Sequence, residues 1–383
     1  MSTTVLYLNL YGTIGGAERA LLELLDELDQ TRFTPVVVLG EDGPLAAELG
    51  ARGIETVVVP FPAPALHRIA WPPTLVRLAR AARRIRRLAR ARHARILHCG
   101  DVLGLLLLIA ARPRGARLVY QLHYLGGAPR RWALACLALP AVDRLLAVSA
   151  RQPSRLGPAP ALLARRTRVV PPGIRAAAFE GGDPRALRDV LGVTDAAPLV
   201  GLVARYDSWK GHDVFLQAAE RIRSRRPDVR FVMVGGSLNG GQLPHVERYR
   251  DAVLSRRKAL GLEQTVAVLG HRPDVPVVLA GLNVLVCPSE DEPFGMIVLE
   301  ALAAGTPVVA SDSGGPLEIL EHERSGLLFR TGNADALGDA ILRLLDDPSL
   351  ASRLAAEGRR RVRSAFSSGR YARDVEAIYA SLV

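Results

Sequence analysis

The chain has 383 residues, and because single cores seldom exceed about 250–300 residues, this length predicts two or three domains. With 49% hydrophobic and 23% charged residues, the composition is that of a globular protein. The three cysteines, Cys99, Cys136 and Cys287, form no Cys-x-x-Cys pair. Their spacing excludes a disulfide framework or zinc site and predicts buried free thiols. The net charge of +12 predicts an acidic partner or surface without identifying it.

Strand-length apolar runs alternate with helix-length amphipathic segments in two series along the chain. The first series, up to about residue 171, contains VLYLNL, PVVVLG, TVVVP, RILHC, RLVYQLH, RLLAVS and TRVVP. The second begins at residue 199 and contains LVGLVAR, VRFVMVGG, TVAVLG, NVLVCP, TPVVASD and GLLF. This alternation predicts an α/β protein with two Rossmann-like doubly wound domains, each a parallel sheet covered by helices. Because such sheets bind ligands at their carboxyl edges, we expect a cleft between the two domains.

A stretch rich in Pro, Gly and Ala, VPPGIRAAAFEGGDPRALRDVLGVTDAAP, separates the two series and lacks strand periodicity. We interpret it as an interdomain hinge with a short helical excursion. The predicted domains are therefore residues 1–172 and 173–364, and we expect a last helix, about 365–383, to return to the first domain.

Two features bear on location in the cell. The longest apolar runs, such as VLGLLLLIAA and WALACLALPAV, are shorter than the roughly 20 residues of a membrane span. The N-terminus lacks a basic region before its first apolar run, so it does not resemble a signal peptide. We therefore expect a soluble cytoplasmic protein.

The segment ARYDSWKGHD, residues 204–213, contains one of two lysines among 50 basic residues. It follows the strand LVGLVAR, and we predict that Lys210 opens the next helix, where unpaired N–H groups favour phosphate. Arg205, at the edge of the strand, would point a second cation into the same cleft. A lysine retained where arginine is the rule indicates a need for a compact ammonium on a flexible stem. A solvated helix terminus is the alternative interpretation.

The segment SEDEPFGMIVLEALAAGTPVVASDSGG places Glu292 and Glu300 on either side of the turn Pro293–Phe294–Gly295. Glu300 is the only charged residue between Phe294 and Ala310, and a carboxylate on an apolar helix needs hydrogen-bond donors. The vicinal hydroxyls of a ribose would supply two. Glu292 is placed to accept from the hydroxyls of another ring. A structural ion pair for Glu300 and a solvated loop charge for Glu292 are the alternatives.

This motif resembles the signature of the family-4 glycosyltransferases, which are retaining enzymes with the two-domain GT-B fold, two Rossmann-like domains facing each other across a cleft. The resemblance extends over nearly the whole chain and includes GGAERALLELL, RLLAVS, VVPPGI, VGLVARYDSWKG and SGGPLEIL. It implies transfer of a hexosyl group, with retention, from a nucleotide-diphosphate sugar to an acceptor hydroxyl.

The resemblance also implies roles for residues of the second domain. Arg205 and Lys210 match the basic pair that holds the donor diphosphate and stabilises its departure. Glu300 matches the acid that binds the nucleotide ribose, and Glu292 matches the acid at the transferred sugar. Four backbone amides are expected to contact sugar and phosphate, namely those of Phe294, Gly295, Met296 and Ile297.

Further roles fall on three loops. Gly15 and Gly16 match the glycine loop of the first domain that approaches the phosphate, where a Cβ would keep the backbone away. His123, at the end of RLVYQLH, matches a histidine near the reacting face of the sugar. The loop LGHRPDV is expected to line the base, with His271 and Arg272 nearby. The chain departs from the family at Gly100, where some relatives carry a second histidine.

No Asp-x-Asp motif stands in a metal-site context. The cationic pair can neutralise a departing diphosphate as a divalent ion does elsewhere, so we expect no metal and no cofactor, with the nucleotide sugar as co-substrate. A UDP-sugar is the commonest donor of the family. The acceptor can be a lipid, a polysaccharide or a natural-product aglycone.

The segment 77–95 contains nine arginines. Leu75, Leu78, Ala82, Ile85 and Ala89 recur at helical spacing and are predicted to contact the sheet, which leaves the arginines mostly outward. A solvated face is one interpretation, and peripheral docking on anionic lipid headgroups is the other. No aromatic platform accompanies the charge, so we expect no nucleic-acid partner.

Two functions of other classes are weighed against an enzyme of this family. A dinucleotide-dependent oxidoreductase is disfavoured because IGGAE is too short for Gly-x-Gly-x-x-Gly. A non-catalytic nucleotide-sugar-binding or scaffold protein of the same shape would be expected to lose Lys210 or one of the two glutamates, and all three are present.

Overall fold

The computed structural model describes residues 2–61, 72–123, 137–154, 163–236 and 244–383. The chain divides into two compact units, one formed by Met1–Pro172 together with Ser368–Val383 and the other by Gly173–Ser367. Each unit contains one wholly parallel sheet, as the sequence predicts. Cys99 and Cys287 are buried free thiols, whereas Cys136 lies outside the described residues.

The sheet of the first unit has seven strands in the order β3-β2-β1-β4-β5-β6-β7. Its central strands are runs of Val, Leu and Ile because both faces are covered by helices, and every residue from Val36 to Leu39 is buried. Thr3 pairs with Phe33 and Asn9 with Leu39 along β1 and β2. The strands are β1 Thr3–Asn9, β2 Phe33–Leu39, β3 Glu55–Val58, β4 Ile96–Cys99, β5 Arg117–Leu122, β6 Arg144–Ala147 and β7 Thr167–Val169.

The helices of the first unit follow its strands on both faces of the sheet. The long apolar run VLGLLLLIAA forms a buried helix, which the Asp101 carboxylate caps by accepting from the Gly104 amide at 2.6 Å. In the part of the chain that the structure describes, no helix combines the length and apolar content needed to cross a bilayer. The helices are α1 Gly16–Glu27, α2 Pro44–Ala51, α3 Pro72–Ala91, α4 Val102–Ala111 and α5 Arg151–Ser154.

The arginine-rich helix α3 packs on the sheet through Ala82, Ile85 and Ala89, which are buried as predicted. The prediction that Leu75 contacts the sheet is wrong, because its side chain is half exposed. The contacts of α3 with the core are made further along, by Leu78 and the residues that follow it. The first turn of the helix therefore extends beyond the core.

A buried polar network holds the C-terminal helix, Ser368–Ala380, in the first unit. Nδ1 of His98 lies 2.6 Å from the hydroxyl of Tyr379, which donates in turn to the Tyr7 hydroxyl at 3.1 Å. The Gln121 amide donates to the Tyr371 hydroxyl at 2.8 Å. Since unsatisfied buried polar groups are expensive, these bonds specify one seating of the helix on the sheet.

The second unit is built on a six-stranded parallel sheet in the order β10-β9-β8-β11-β12-β13. β8 and β11 are neighbours, with Val200 opposite Val284, although more than 80 residues separate them in the chain. The loops that follow these two strands are therefore brought together at the carboxyl edge. The strands are β8 Leu199–Val203, β9 Arg230–Val234, β10 Val266–Leu269, β11 Val284–Cys287, β12 Val308–Ser311 and β13 Leu327–Phe329.

Helices cover both faces of this sheet, and after β13 the chain is helical, as its pattern predicts. The helices of the second unit are α6 Pro184–Leu191, α7 His212–Arg225, α8 Pro244–Ala259, α9 Val275–Gly281, α10 Met296–Ala304, α11 Pro316–Ile319, α12 Ala334–Asp346 and α13 Pro348–Ala365, and the C-terminal helix in the first unit is α14. Short 3-10 turns occur at Ala176–Phe179 and Ser208–Lys210.

The buried His98 predicts acid destabilisation of the first unit. Burial, with a smaller contribution from His123, lowers the pKa of His98 from 6.5 to about 3. Below about pH 6.5 the His98 side chain binds a proton in the unfolded chain but stays neutral in the folded protein. The contribution of His98 to the free energy of unfolding is therefore fully present above that pH and is lost as the pH falls toward 3. One such histidine lowers the free energy of unfolding by up to about 1.4 kcal/mol per pH unit.

Urea denaturation between pH 7 and pH 4 should therefore give a shallower loss of stability for His98→Asn than for the wild type. The matched control is His93→Asn, since His93 is exposed and its φ of +50° suits asparagine. Identical pH slopes for the wild type and His98→Asn would contradict this assignment.

Candidate active site

The loop between β8 and α7 carries the two predicted cations. The prediction that Lys210 opens the helix is wrong by two residues, because Lys210 closes the 3-10 turn Ser208–Lys210 and α7 begins at His212. Gly211, between them, has a left-handed φ of +75°. A side chain there would overlap the Pro288 carbonyl, so glycine allows this loop to approach the loop after β11.

Lys210 and Glu292 form an ion pair across these two loops. Nζ of Lys210 lies 2.7 Å from Oε2 of Glu292, and the two side chains are only 13% and 9% exposed. The Ser289 hydroxyl donates to the same carboxylate oxygen at 2.9 Å. The ammonium also lies 4.0 Å from the centroid of the Trp209 ring. A nearly buried cation thus has a carboxylate and an aromatic face as its neighbours.

Arg205 lies in the same loop but has a different partner. Its Nη2 is 2.8 Å from Oδ2 of Asp207, and its side chain is about half exposed. The described contacts therefore pair each predicted cation with a carboxylate and leave the two cations unconnected. Arg205 keeps its guanidinium accessible to a ligand, whereas Lys210 has to exchange Glu292 for one.

His212 adds no further positive charge next to Lys210. Its ring is buried and stacks on Tyr206 with the ring centroids 4.8 Å apart. Burial, with a smaller contribution from the Lys210 charge, lowers the pKa of His212 to about 4. The imidazole is therefore neutral at pH 7, and the positive charge at the start of α7 is that of the lysine.

The turn between Glu292 and α10 packs against the loop that follows β12. The Gly315 amide donates to the Glu292 carbonyl at 2.8 Å, and side chains at Gly314 or Gly315 would overlap the backbone of the turn. Gly295 caps α10 with a φ of +106°. The two predicted acids thus bracket a tight turn, as the sequence indicates, with Glu292 in the loop and Glu300 on the helix.

The first turn of α10 supplies backbone donors. Because helix geometry provides no acceptor for the earliest amides, those of Met296 and Ile297 point out of the helix at its positive end. Phe294 is buried, and Glu300 is buried at 4% exposure one turn further in. The arrangement can bind an anion at the amides and hydroxyl groups at the two carboxylates.

In the first unit, the predicted glycine loop and histidine lie at the carboxyl edge of that unit's own sheet. The Gly15 amide donates to the Glu18 carboxylate at 2.9 Å, whereas Gly16 is the first residue of α1 and its amide has no helical acceptor. His123 directly follows β5 and is half-buried. Burial lowers its pKa to about 4, so the ring is neutral at pH 7 and can exchange hydrogen bonds with a hydroxyl.

Gly100 makes room for His123. A Cβ at Gly100 would lie 2.8 Å from Cδ2 and 3.1 Å from Nε2 of the imidazole, both closer than such contacts allow. Gly100 is the position at which some relatives carry a second histidine. Because this chain has no side chain there, the His123 ring can occupy the space next to Gly100.

His271 and Arg272 follow β10, two strands away from β8 in the sheet. Arg272 is paired with Asp274, with Nε and Oδ1 2.8 Å apart, and His271 is exposed. The described contacts do not connect these two residues with Lys210 or Glu292. Within the described ranges, no three or more His, Cys, Asp or Glu side chains cluster as a metal site requires.

Sequence analysis missed Ser289, Trp209 and Asp207, each of which contacts a predicted site residue. Their proximity in the chain is the one signal that could have identified them, since each lies within three residues of Glu292, Lys210 or Arg205. Proximity alone does not distinguish them from Glu290 or Ser208.

Two doubly wound parallel sheets, each with a glycine loop at its carboxyl edge, are the architecture of GT-B proteins. Two family models match in sequence order, Glycosyltransferase Family 4 at residues 14–177 and Glycosyl transferases group 1 at residues 184–361. The structure of Anabaena HepE in complex with UDP-glucose matches with a TM-score of 0.84 and 24% identity over 99% of both chains. The chain belongs to the family-4 glycosyltransferases, and the predicted family and fold are confirmed.

Curated relatives match part of the chain. The D-inositol 3-phosphate glycosyltransferase of Stackebrandtia nassauensis is 35% identical over 195 residues, which are 49% of this chain and 43% of that protein. The lipopolysaccharide core biosynthesis mannosyltransferase LpcC of Rhizobium leguminosarum is 30% identical over 217 residues, 56% of this chain and 60% of that protein. The matched region thus spans about half the length of these relatives.

The contact between Gly100 and His123 is testable. Gly100→Ala should displace the imidazole, because the new Cβ meets it at 2.8 Å while the backbone of residue 100 suits any residue. The pKa of His123, followed by NMR of its ring protons, should move from about 4 toward 6.5 as the ring becomes more exposed. Gly50→Ala is the control, since nothing lies within 4 Å of a Cβ there. An unchanged His123 pKa in Gly100→Ala would contradict the packing described.

Proposed function

We propose that this chain transfers a hexosyl group from a nucleotide-diphosphate sugar, with a UDP-sugar as the donor, to an acceptor hydroxyl with retention of anomeric configuration. The observation that carries the proposal is the Lys210–Glu292 pair next to the open amides of α10, with Glu300 buried on the same helix. This set contains a cation and backbone donors for a diphosphate, and two carboxylates for the rings on either side of it. Two of the matching structures are complexes of Anabaena HepE with UDP-glucose and with UDP.

The diphosphate is assigned to Lys210, Arg205 and the amides of Met296 and Ile297. Lys210 rests on Glu292 in the free protein and would turn toward the phosphates when the donor binds, because a dianion attracts the ammonium more strongly than one carboxylate. The half-exposed Arg205 guanidinium can bind the phosphates in a bidentate manner. Both cations then stabilise the charge that develops on the leaving diphosphate.

The two carboxylates are assigned to hydroxyl groups. Glu300 accepts from the two ribose hydroxyls, and Glu292, once separated from the lysine, accepts from the transferred sugar. The Ser289 hydroxyl, which donates to Glu292 at 2.9 Å, keeps that carboxylate oriented throughout. His271 and Arg272 are assigned to the base.

In the first unit, Gly15 and Gly16 are assigned to the donor phosphate, and His123 is assigned to the reacting sugar. Its neutral imidazole can hydrogen-bond a sugar hydroxyl without adding charge. As the bond from the anomeric carbon to the phosphate oxygen breaks, the new bond to the acceptor oxygen forms on the same face. The acceptor proton passes to the departing phosphate. We propose that the reaction needs no metal ion or cofactor, since the two cations supply the counter-charge.

The acceptor is a lipid, a polysaccharide or an aglycone, and the protein acts in the cytoplasm. Relatives are named for inositol 3-phosphate and for lipopolysaccharide core biosynthesis. Docking of the arginine-rich helix on the inner face of the membrane is part of the same proposal.

The test of the function is a panel of nucleotide sugars, assayed for binding by calorimetry and for slow hydrolysis with excess EDTA. Binding without hydrolysis or transfer would favour a scaffold protein, and activity restored only by Mg²⁺ or Mn²⁺ would refute the metal-independent step.

Replacement of Lys210 tests the diphosphate assignment. Lys210→Ala should lower kcat/KM about 10- to 100-fold, since it removes a charge-assisted contact of roughly 1.5–3 kcal/mol. Lys210→Arg should restore little, because a guanidinium does not replace an ammonium held between Trp209 and Glu292. The control is Lys258→Ala, which removes the other lysine from an exposed position of α8. Full activity of Lys210→Arg would refute the requirement for a compact ammonium.

The two glutamates should separate in their effects. Glu300→Gln should chiefly weaken binding of the free nucleoside diphosphate, because it removes an acceptor for the ribose. Glu292→Gln should chiefly lower turnover and leave UDP affinity within a few-fold, since the sugar is absent from UDP. Calorimetry with UDP and single-turnover assays with the donor distinguish the two. If UDP affinity falls for Glu292→Gln and not for Glu300→Gln, the roles are reversed.

A further inference from the structure

A pocket of about 540 Å³ lies at the carboxyl edge of the sheet in the first unit. Leu10, Gly40 and Val59, which directly follow β1, β2 and β3, form part of its wall, and α3 closes one side. Its size is that of small-molecule sites, and its position is the edge at which open α/β sheets bind ligands. None of the residues assigned above to the donor lines it.

Three arginines of α3 line this pocket. Arg77, Arg80 and Arg84 recur at positions i, i+3 and i+7, which places them on one face of the helix. All three are exposed, and none forms an ion pair with a carboxylate among the described residues. Glu41 is the acidic residue among the described lining residues, and its carboxylate accepts from the Gly12 amide at 3.2 Å. Three positive charges and one negative charge give the described lining residues a net charge of +2.

The floor of the pocket is apolar and well packed. Leu10, Val59, Phe61 and Ala81 are each at most 6% exposed. Gly40 lies among them, and a Cβ there would meet the Leu10 carbonyl at 2.5 Å and the Phe61 ring at 3.0 Å. A glycine is therefore needed for the chain to pass between strand end and ring. The pocket thus combines a packed apolar base with a rim of guanidinium groups.

We propose that this pocket binds the phosphate group of the acceptor, with Arg77, Arg80 and Arg84 as its ligands. Guanidinium groups match the geometry of phosphate, and several of them on one helix face can surround its oxygens. The apolar floor then receives the carbon skeleton next to the phosphate. The inference rests on the proposed transferase function, of which it names the acceptor class, and the phosphate-bearing compound is a free small molecule or a lipid headgroup.

The test compares two triple variants of the same helix. Arg77→Gln, Arg80→Gln and Arg84→Gln together remove the pocket charges, whereas Arg83→Gln, Arg87→Gln and Arg90→Gln remove three exposed arginines that do not line the pocket. The net charge falls equally in both, so long-range electrostatic effects are matched. Binding of inorganic phosphate and of glycerol 3-phosphate is measured by calorimetry in the presence of saturating UDP. Vesicle sedimentation with phosphatidylglycerol is measured in parallel.

The pocket triple should lose at least about tenfold in affinity for both phosphate compounds, while the control triple stays within about twofold of the wild type. If the pocket triple instead loses vesicle binding that the control triple keeps, the phosphate belongs to a lipid headgroup and the site stands. Equal losses of phosphate affinity and of vesicle binding in the two triple variants, or no loss in either variant, would overturn the proposal. If UDP fails to bind the wild-type protein, the donor assignment fails, yet the comparison of the two triples remains valid because both contain the same donor residues.

Discussion

The ion pair between Lys210 and Glu292 is the interaction on which the candidate site depends. It joins the loop after β8 to the loop after β11, and these loops meet because the two strands are neighbours in the sheet. Removing one partner of a nearly buried pair leaves the other charge without compensation, which is far more costly than never having buried either. The pair therefore requires both loops to keep their positions, and glycines at 211, 314 and 315 allow the close approach of the backbones.

The same pair explains how a cation can be held ready for an anionic ligand in the free protein. A lysine without a partner would stay solvated and mobile. The Lys210 ammonium is instead held by Glu292 and the Trp209 ring, and Ser289 orients Glu292, which directly precedes the turn before α10. A diphosphate at the α10 amides offers the lysine a stronger partner nearby. In the proposed function, donor binding would thus exchange one ion pair for another and would release Glu292 for the sugar at the same step.

The first unit uses its polar residues differently. A chain of buried hydroxyl and imidazole groups fastens α14 to the sheet, and burial keeps His98 and His123 neutral. The positive charge of this unit is concentrated on α3. From its composition alone, α3 would be expected to present one uniform basic surface. The fold divides that surface, because Arg77, Arg80 and Arg84 line a pocket at the carboxyl edge while other arginines of the helix face solvent.

Much of the architecture was predictable because apolar period and strand length are local properties. All thirteen strands were predicted from runs such as VLYLNL and NVLVCP, and alternation with helices predicted that both sheets are parallel. The motif around Glu292 and Glu300 identified the family for a similar reason, since its turn and helix start are encoded within nine consecutive residues. Helix boundaries were less accessible, as Lys210 shows, because one glycine with a left-handed φ shifts the start of α7.

The amino-acid sequence by itself determined the two α/β domains, the family and the residue types of the candidate site, because these depend on periodicity and on short motifs. Only the tertiary structure decided which charges meet. Lys210 and Glu292 are 82 residues apart and touch through the order of the strands, whereas Arg205 turns to Asp207 within its own loop. Likewise, Gly100 determines the place of His123 only because β4 and β5 are adjacent. Strand order, which no local pattern encodes, brings residues that are distant in the chain into contact within each unit.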